Sequence, residues 1–365
     1  MRVKLEDVCE RGTSSLMQKD IVDKNGKYPV YGASGRIGSM ETYQQEHQTV
    51  AVVKDGAGIG RTMLLPEKSS VIGTMQYLIP KNCIESEYLY YVVKYMHLEK
   101  YFSGATIPHI YFRDYKTEEF NLHDKTEQRE IVSTLKRIEA IISNRQEQLT
   151  KLDELVKARF VEMFGDPKLN PYRFPCNSLS TYITFLTSGS RGWSQYFTDS
   201  GEYFITIKNV KNCKITLQDV QYVAPPDNAE AKRTKVQKND LLISITADLG
   251  RTGVVTEEIA NHGAYINQHL TCIRLKDEQV NPLYVAYYME SDAGKEQFTA
   301  KNQSAVKAGL NFNAINSLKL MAPPLSLQNQ FADFVAEVDK SKADVQKALD
   351  QTQLLFDSLM QQYFG

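Results

Sequence analysis

Thr126-Glu127-Gln128-Arg129-Glu130-Ile131-Val132-Ser133-Thr134-Leu135 is answered 200 residues later by Ser326-Leu327-Gln328-Asn329-Gln330-Phe331-Ala332-Asp333-Phe334-Val335. The correspondence extends without a gap over 104–165 and 304–365, ending on Phe164-Gly165 and Phe364-Gly365. Only 8 of the 62 positions are identical (105, 112, 128, 146, 149, 155, 164 and 165), yet the apolar residues after the two glutamines stay in phase. After Gln128 they fall at Ile131, Leu135, Ile138, Ile142, Leu149, Leu152, Val156 and Met163, with Arg145 and Arg159 at the two missing seam positions. After Gln328 they fall at Phe331, Val335, Val338, Val345, Leu349, Phe356, Leu359 and Tyr363, interrupted by Lys342 and Thr352. Spacing that alternates four and three is a coiled-coil seam. It predicts a helix over 127–163, ~55 Å long at ~1.5 Å per residue, stopped by Gly165-Asp166-Pro167. Neither seam is apolar enough to stand alone. The two helices are therefore expected to pair antiparallel, with the polar seam residues fixing register or facing a further helix.

Outside the helices the pattern is short and β-like. Thr49–Lys54 reads as a buried strand, 55–60 as a turn, and Arg61–Leu65 as a second strand. Glu87–Tyr101 has helical apolar spacing. In the second half Tyr203–Ile207 and Asp240–Ile245 read as strands, and Gly60-Arg61-Thr62 returns as Gly250-Arg251-Thr252. Gln76 and Gln268 take similar places before a further strand, so the repeat continues into the β regions at an offset of 190 to 194. The expected fold is α+β, with a pseudo-two-fold internal repeat. Two mixed α/β domains, 1–125 and 166–325, are separated by an antiparallel coiled-coil pair of long helices, 126–165 and 326–365.

Composition sets limits. A chain of 365 residues, 42% hydrophobic and 24% charged, is expected to form two globular domains. It has no apolar run of membrane length and no signal-like start. The five separated cysteines (Cys9, Cys83, Cys176, Cys213, Cys272) read as reduced thiols of a cytoplasmic protein. Net charge is −1, with 16 basic against 16 acidic residues in 1–125, 16 against 14 in 170–325, and 3 against 6 in 326–365. DNA binding would thus need local positive charge or a partner.

Catalytic motifs are missing. The helix that would make Gly56-Ala57-Gly58-Ile59-Gly60 a nucleotide loop does not follow it, so a tight turn is expected. No phosphate-loop lysine motif, amino-methyltransferase Pro-Pro-Tyr motif, zinc motif or nuclease carboxylate cluster is found, and the six histidines are scattered. What remains is polar chemistry on loops. Tyr31, Ser34 and Arg36 sit in the Gly-rich stretch 28–38, where Arg suits guanine and backbone amides suit phosphate; a hairpin with a surface Arg is the plain alternative. Lys54, Arg61, Lys208 and Arg251 are candidate DNA contacts, three of them beside tight turns, or simply solvated charges. Arg191 and Trp193 offer a base or sugar contact, or a packing anchor. Gln76, Asn267, Gln268 and His269 carry groups that read adenine or cap strands.

In order along the chain, Y-P-V-Y-G-A-S-G-R-I-G (28–38), the paired G-R-T turns, D-K-T-E-Q-R-E-I (124–131), P-P-L-S-L-Q-N-Q-F (323–331) and the helix ends M-F-G-D-P and Y-F-G resemble the specificity (S) subunit of type I restriction–modification systems used in phage defence. The resemblance implies two target-recognition domains, each reading half of a bipartite double-stranded DNA site, with the helices as a ruler for the spacer. It implies no cofactor or catalysis on this chain. Two methyltransferase (M) subunits would bind S-adenosylmethionine and methylate adenine N6, and restriction (R) subunits would cleave. A divergent modification enzyme and a scaffold that does not bind DNA are the other readings.

Overall fold

A computed structural model describes residues 1–21, 26–104, 108–302 and 309–365. The repeat positions 105–107 and 304–308, with the Ala105/Ala305 identity, lie outside the described residues. Two helices of 40 residues each, Lys125–Phe164 and Leu325–Phe364, begin and end at matching positions, so each is ~60 Å long at ~1.5 Å per residue. The chain forms two compact units, one of Met1–Gln148 with Val345–Gly365 and one of Leu149–Asp344.

In the first unit, Thr49-Val50-Ala51-Val52-Val53 is buried at all five positions. That fits an unbroken apolar, β-branched run covered on both faces. It lies inside a four-stranded antiparallel sheet of order Cys9–Thr13, Met75–Pro80, Thr49–Val53, Thr62–Leu65. A smaller sheet joins Gly35–Met40, Tyr28–Gly32 and Ser70–Val71, the last pair parallel. Helix Ser86–Tyr95 buries Tyr88, Leu89, Tyr91, Val92 and Val93. The helix expected over 87–101 stops early because His97 turns left-handed at φ 49°, and one 3-10 turn, Leu98–Tyr101, follows with Leu98 buried.

The second unit repeats the order as Ile183–Ser188, Leu270–Leu275, Leu241–Ser244, Thr252–Val254. Its smaller sheet again ends in a parallel pair, Glu202–Ile205 with Ala264–Ile266. The strand expected to reach Ile207 ends at Ile205, because Asn209 Oδ1 accepts from the Thr206 amide (3.0 Å) and hydroxyl (2.9 Å) and turns the chain. The G-R-T turns share two backbone bonds. Gly60 N donates to Val53 O and Val53 N to Arg61 O, and likewise Gly250 N to Ser244 O and Ser244 N to Arg251 O, all at 2.9–3.0 Å. Both glycines are left-handed, φ 80° and 81°. A side chain there would also collide, at 2.5 Å from Glu99 N in one and 2.3 Å from the Phe298 ring in the other.

The register corrects the sequence alignment. Thr13 faces Gln76, and Ser188 faces Thr271. Gln76 therefore corresponds to Thr271 rather than to Gln268, and the offset runs from 175 at the first of these strands to 195 at the second. Deletions and insertions fall between strands, where the sequence gives no phase to align.

The long helices pair antiparallel. In the first unit Ile131, Val132, Leu135 and Ile138 pack with Phe356, Met360 and Phe364. In the second, Val156, Phe160 and Phe164 pack with Phe331, Val335 and Val338. Four polar seam positions make specific contacts. Arg145 Nη1 and Thr352 Oγ1 both donate to Ala348 O, Lys342 pairs with Asp153, and Arg159 lies 5.5 Å over Phe334. Ile142, Leu149, Leu152, Val345, Leu349 and Leu359 are half-buried. Val132, Phe160, Phe164, Met360 and Phe364 were not in the seam but are buried, because each helix end also meets its unit's shorter helices and widens its apolar face. Among the described residues no helix is long and apolar enough to cross a membrane.

Candidate nucleic-acid interface

In the first unit the hairpin of Tyr28–Gly32 and Gly35–Met40 exposes Ser34 and Arg36, while Tyr31 is half-buried against the sheet. Arg61 Nη1 donates to Ala33 O at 2.7 Å, so the G-R-T turn holds the hairpin tip. Lys54 pairs with Asp55, whose Oδ1 meets His109 Nδ1 at 2.7 Å, and Gly56 N donates to Pro108 O at 2.9 Å. The structure thus brings Tyr31, Ser34, Arg36 and Arg61 together, with Lys54 nearby on a carboxylate.

This surface extends to residues that sequence reasoning missed. The His109 ring stacks on Tyr111 at 6.3 Å, and the Arg113 guanidinium lies 4.7 Å over Tyr111. Tyr111 is 46% exposed and Phe102 62%. The available signal was a strand-like alternation: Ile110 is buried while its neighbours His109 and Tyr111 are not.

In the second unit Arg191, Asn267, Gln268 and His269 come together. Arg191 Nε donates to Gln268 Oε1, Gln268 Nε2 lies 3.4 Å from His269 Nε2, and His269 Nδ1 is 2.6 Å from Thr246 Oγ1. Asn267 Oδ1 accepts from His269 N at 3.2 Å. The loop is fixed by backbone bonds, Ser190 N to Ile266 O at 2.8 Å and Gln268 N to Ser190 O at 2.9 Å. Lys208 is exposed on the turn Ile207–Asn209. Arg251 does not join the group; its Nε donates to Asp248 at 2.6 Å.

Two candidates are interior. Gln76 is 2% exposed and its amide donates to the Tyr115 hydroxyl, so it has no surface to offer DNA. Trp193 is 3% exposed, stacks on Phe204 at 5.8 Å and donates to Glu230 Oε2 at 3.0 Å, which makes it a packing anchor. In the second unit Ile315 stands where the first has Tyr115, and Thr271 Oγ1, at the place of Gln76, is buried without a hydrogen bond.

The same backbone position carries different chemistry in the two units. Ile72 N donates to Tyr31 O, and Asn267 N to Ile205 O, both at 3.0 Å. Asn267-Gln268-His269 therefore occupies the place of Ile72-Gly73-Thr74. One unit presents a linked Arg–Gln–His group where the other has no long polar side chain. Among the described residues no cluster of His, Cys, Asp and Glu could hold a metal ion.

A family model described as "Type I restriction modification DNA specificity domain" matches residues 1–153 and 194–352. The chain is 21% identical over 170 residues to the Type I restriction enzyme EcoBI specificity subunit of Escherichia coli, a match covering 45% of this chain and 35% of that one, about a third of the relative's length. The S subunit of a type I restriction-modification system from M. genitalium superposes with a TM-score of 0.61 at 16% identity, covering 100% of this chain and 96% of that one. A chain from a structural study of complex assembly and conformational transition of the type I R-M system gives 0.58 at 15% identity, with 100% and 97% coverage. At these identities the structures speak for the fold. The family match spans most of both halves, and the chain belongs to the type I restriction modification DNA specificity domain family.

Proposed function

We propose that this chain is the DNA-reading subunit of a type I restriction–modification complex, with one recognition domain, roughly 1–125 and 166–325, for each half of a bipartite double-stranded target. The observation that carries this is one topology used twice with different surface chemistry: Ser34, Arg36 and Arg61 on one copy, Arg191, Asn267, Gln268 and His269 on the other. Arg reads guanine, and Asn or Gln reads adenine, through paired hydrogen bonds to base edges. An unlike pair of surfaces suits an asymmetric target.

The long helices, about 126–165 and 326–365, serve as ruler and dock for two M subunits. These subunits bind S-adenosylmethionine and methylate adenine N6, and R subunits join for cleavage. This chain carries no cofactor and no catalytic residue of its own, and it works in the cytoplasm without a membrane. The near-zero net charge supports a division of labour in which the M subunits supply most phosphate contacts.

The test is methylome sequencing of cells expressing this chain with its M partner. A two-part motif of unlike halves is expected. Inserting four residues between Gln146 and Leu149 should change the spacer and leave both half-sites unchanged; an unaltered motif refutes the ruler. A gel shift that is no stronger with this chain and M together than with M alone refutes DNA reading.

A further inference from the structure

Each unit contains the same lock, made of residues outside the candidate DNA surface. Gln128, in the first turn of Lys125–Phe164, is fully buried. Its Oε1 accepts from Glu85 N at 2.8 Å, and its Nε2 donates to Cys83 O at 3.0 Å and His123 O at 2.9 Å. Glu85 is the N-cap of helix Ser86–Tyr95. Within that helix Tyr88, buried, donates to Asn121 O at 2.8 Å, on the strand that leads into the long helix.

In the second unit Gln328 is again fully buried. Its Oε1 accepts from Asn281 N at 2.9 Å and its Nε2 donates to Pro323 O at 2.7 Å. Asn281 is the N-cap of helix Pro282–Glu290, and Tyr284 donates to Met321 O at 2.8 Å. Amide oxygen, amide nitrogen and phenol thus meet equivalent backbone groups in both units.

Burying a primary amide is costly unless its polar atoms are satisfied. Simple helix capping does not need that expense, since a short surface Ser, Asp or Asn suffices. Here the amide joins three segments: the long helix, the start of the shorter helix, and the link between the preceding strand and the long helix. Few side chains besides Gln combine that reach with an acceptor and two donors. Glu would set a carboxylate against carbonyl oxygens, and Leu or Met would strand the backbone groups. The pair also survives in a repeat with only 8 identities in 62 positions.

We propose that Gln128 and Gln328, assisted by Tyr88 and Tyr284, are positioning residues. Each fixes the reading surface of its unit at a set angle to the start of its long helix, so that spacer length is discriminated to the base pair. This rests on the bipartite-target reading given above.

The experiment is methylome sequencing with the M partner present, for wild type, Gln128→Ala, Gln328→Ala and the double variant, alongside thermal melting of each purified complex. Half-site sequences should stay unchanged. Methylation should spread to sites whose spacer is one base pair longer or shorter, with discrimination falling roughly tenfold for the double variant and less for each single one. Tyr88→Phe, which keeps the ring and removes the hydroxyl's contacts with Asn121 O and His123 Nδ1, should broaden the spacer slightly and serves if the alanine variants do not fold. Methylation that declines with the folded fraction while spacer preference stays intact, in the alanine variants or in Tyr88→Phe, overturns the proposal. A wild-type methylome with no two-part motif removes the reading on which it rests, a result separable from a normal wild-type motif with unbroadened variants.

Discussion

Arg36 and Arg61 stand close together, but the structure gives them different work. A guanidinium has five N–H donors. Among the described residues Arg36 has no protein partner, so all of them are free for a base edge. Arg61 gives one to Ala33 O at 2.7 Å, which fixes its plane and steadies the hairpin. Arg36→Ala should therefore remove a base contact. The expected loss is about 1–3 kcal/mol of discrimination at one position of one half-site, or roughly 5- to 150-fold. Arg61→Ala should weaken all sequences nearly alike and lower the slope of log affinity against log salt by about 0.9, the signature of one lost phosphate contact. Arg61→Lys should restore the slope and not the rigidity of the hairpin, because an ammonium lacks the planar fork. Fluorescence anisotropy titrations with the M partner present, from 50 to 200 mM salt, on cognate DNA and on single-base variants of each half-site, separate the cases. If neither alanine variant changes affinity or specificity by more than about twofold while melting normally, the 28–38 hairpin does not touch DNA.

Other outcomes follow from the cores. The Asp240 side chain is fully buried and held by Arg274 through two bonds of 2.8 and 2.9 Å, by Gln237 N at 2.7 Å, and by the Cys272 thiol at 3.2 Å. Arg274→Ala strands that carboxylate and should cost about 3–5 kcal/mol. Asp240→Ala should cost less, since Arg274 is 31% exposed and can turn to water. Urea titration checks the order, and the reverse order refutes it. Among the thiols, Cys83 and Cys176 are exposed, whereas Cys9, Cys213 and Cys272 are buried. Burial pushes Cys9 up to about 12 and raises the other two buried thiols as well. Native alkylation near pH 8 followed by peptide mapping should mark two sites, and a third refutes the packing. Those raised thiols, with Tyr101 pushed up to about 12 by burial and by Glu118, favour the neutral native form. Their stabilisation is complete below the unfolded values, near pH 9, and is lost as pH climbs towards 12. The urea midpoint should therefore fall across that window; a flat profile refutes the argument.

The sequence was most legible where a short period repeats. The heptads after Gln128 and Gln328 locate both helices to within two residues of their observed starts, because a helix writes its buried face every three or four positions. The strand Thr49–Val53 was equally plain from its β-branched run. Misreadings came where burial depends on a partner far along the chain. Gln76 reads as a polar recognition residue until Tyr115 is seen to take its amide. Trp193 reads as a loop aromatic until Phe204 and Tyr265 close over it. The buried glutamines stood out as a repeated motif, but their partners lie 43 to 47 residues upstream, and no local pattern announces a bond to Glu85 or Asn281. The His109–Tyr111–Arg113 group was passed over for the same reason, since Asp55, which orients it, comes from another strand end.

The division of the chain has a consequence for its birth on the ribosome. The second unit is one contiguous stretch, Leu149–Asp344, and all its own parts have been made once residue 344 emerges. The first unit is interrupted: Ile131, Leu135 and Ile138 are covered in part by Phe356, Met360 and Phe364. At synthesis rates of about 5–20 residues per second, the 196 residues between Gln148 and Val345 take roughly 10–40 s. Through that interval the earlier-made domain carries an uncovered apolar stripe. The half translated first is thus completed last, and it is the half most in need of a chaperone while it waits.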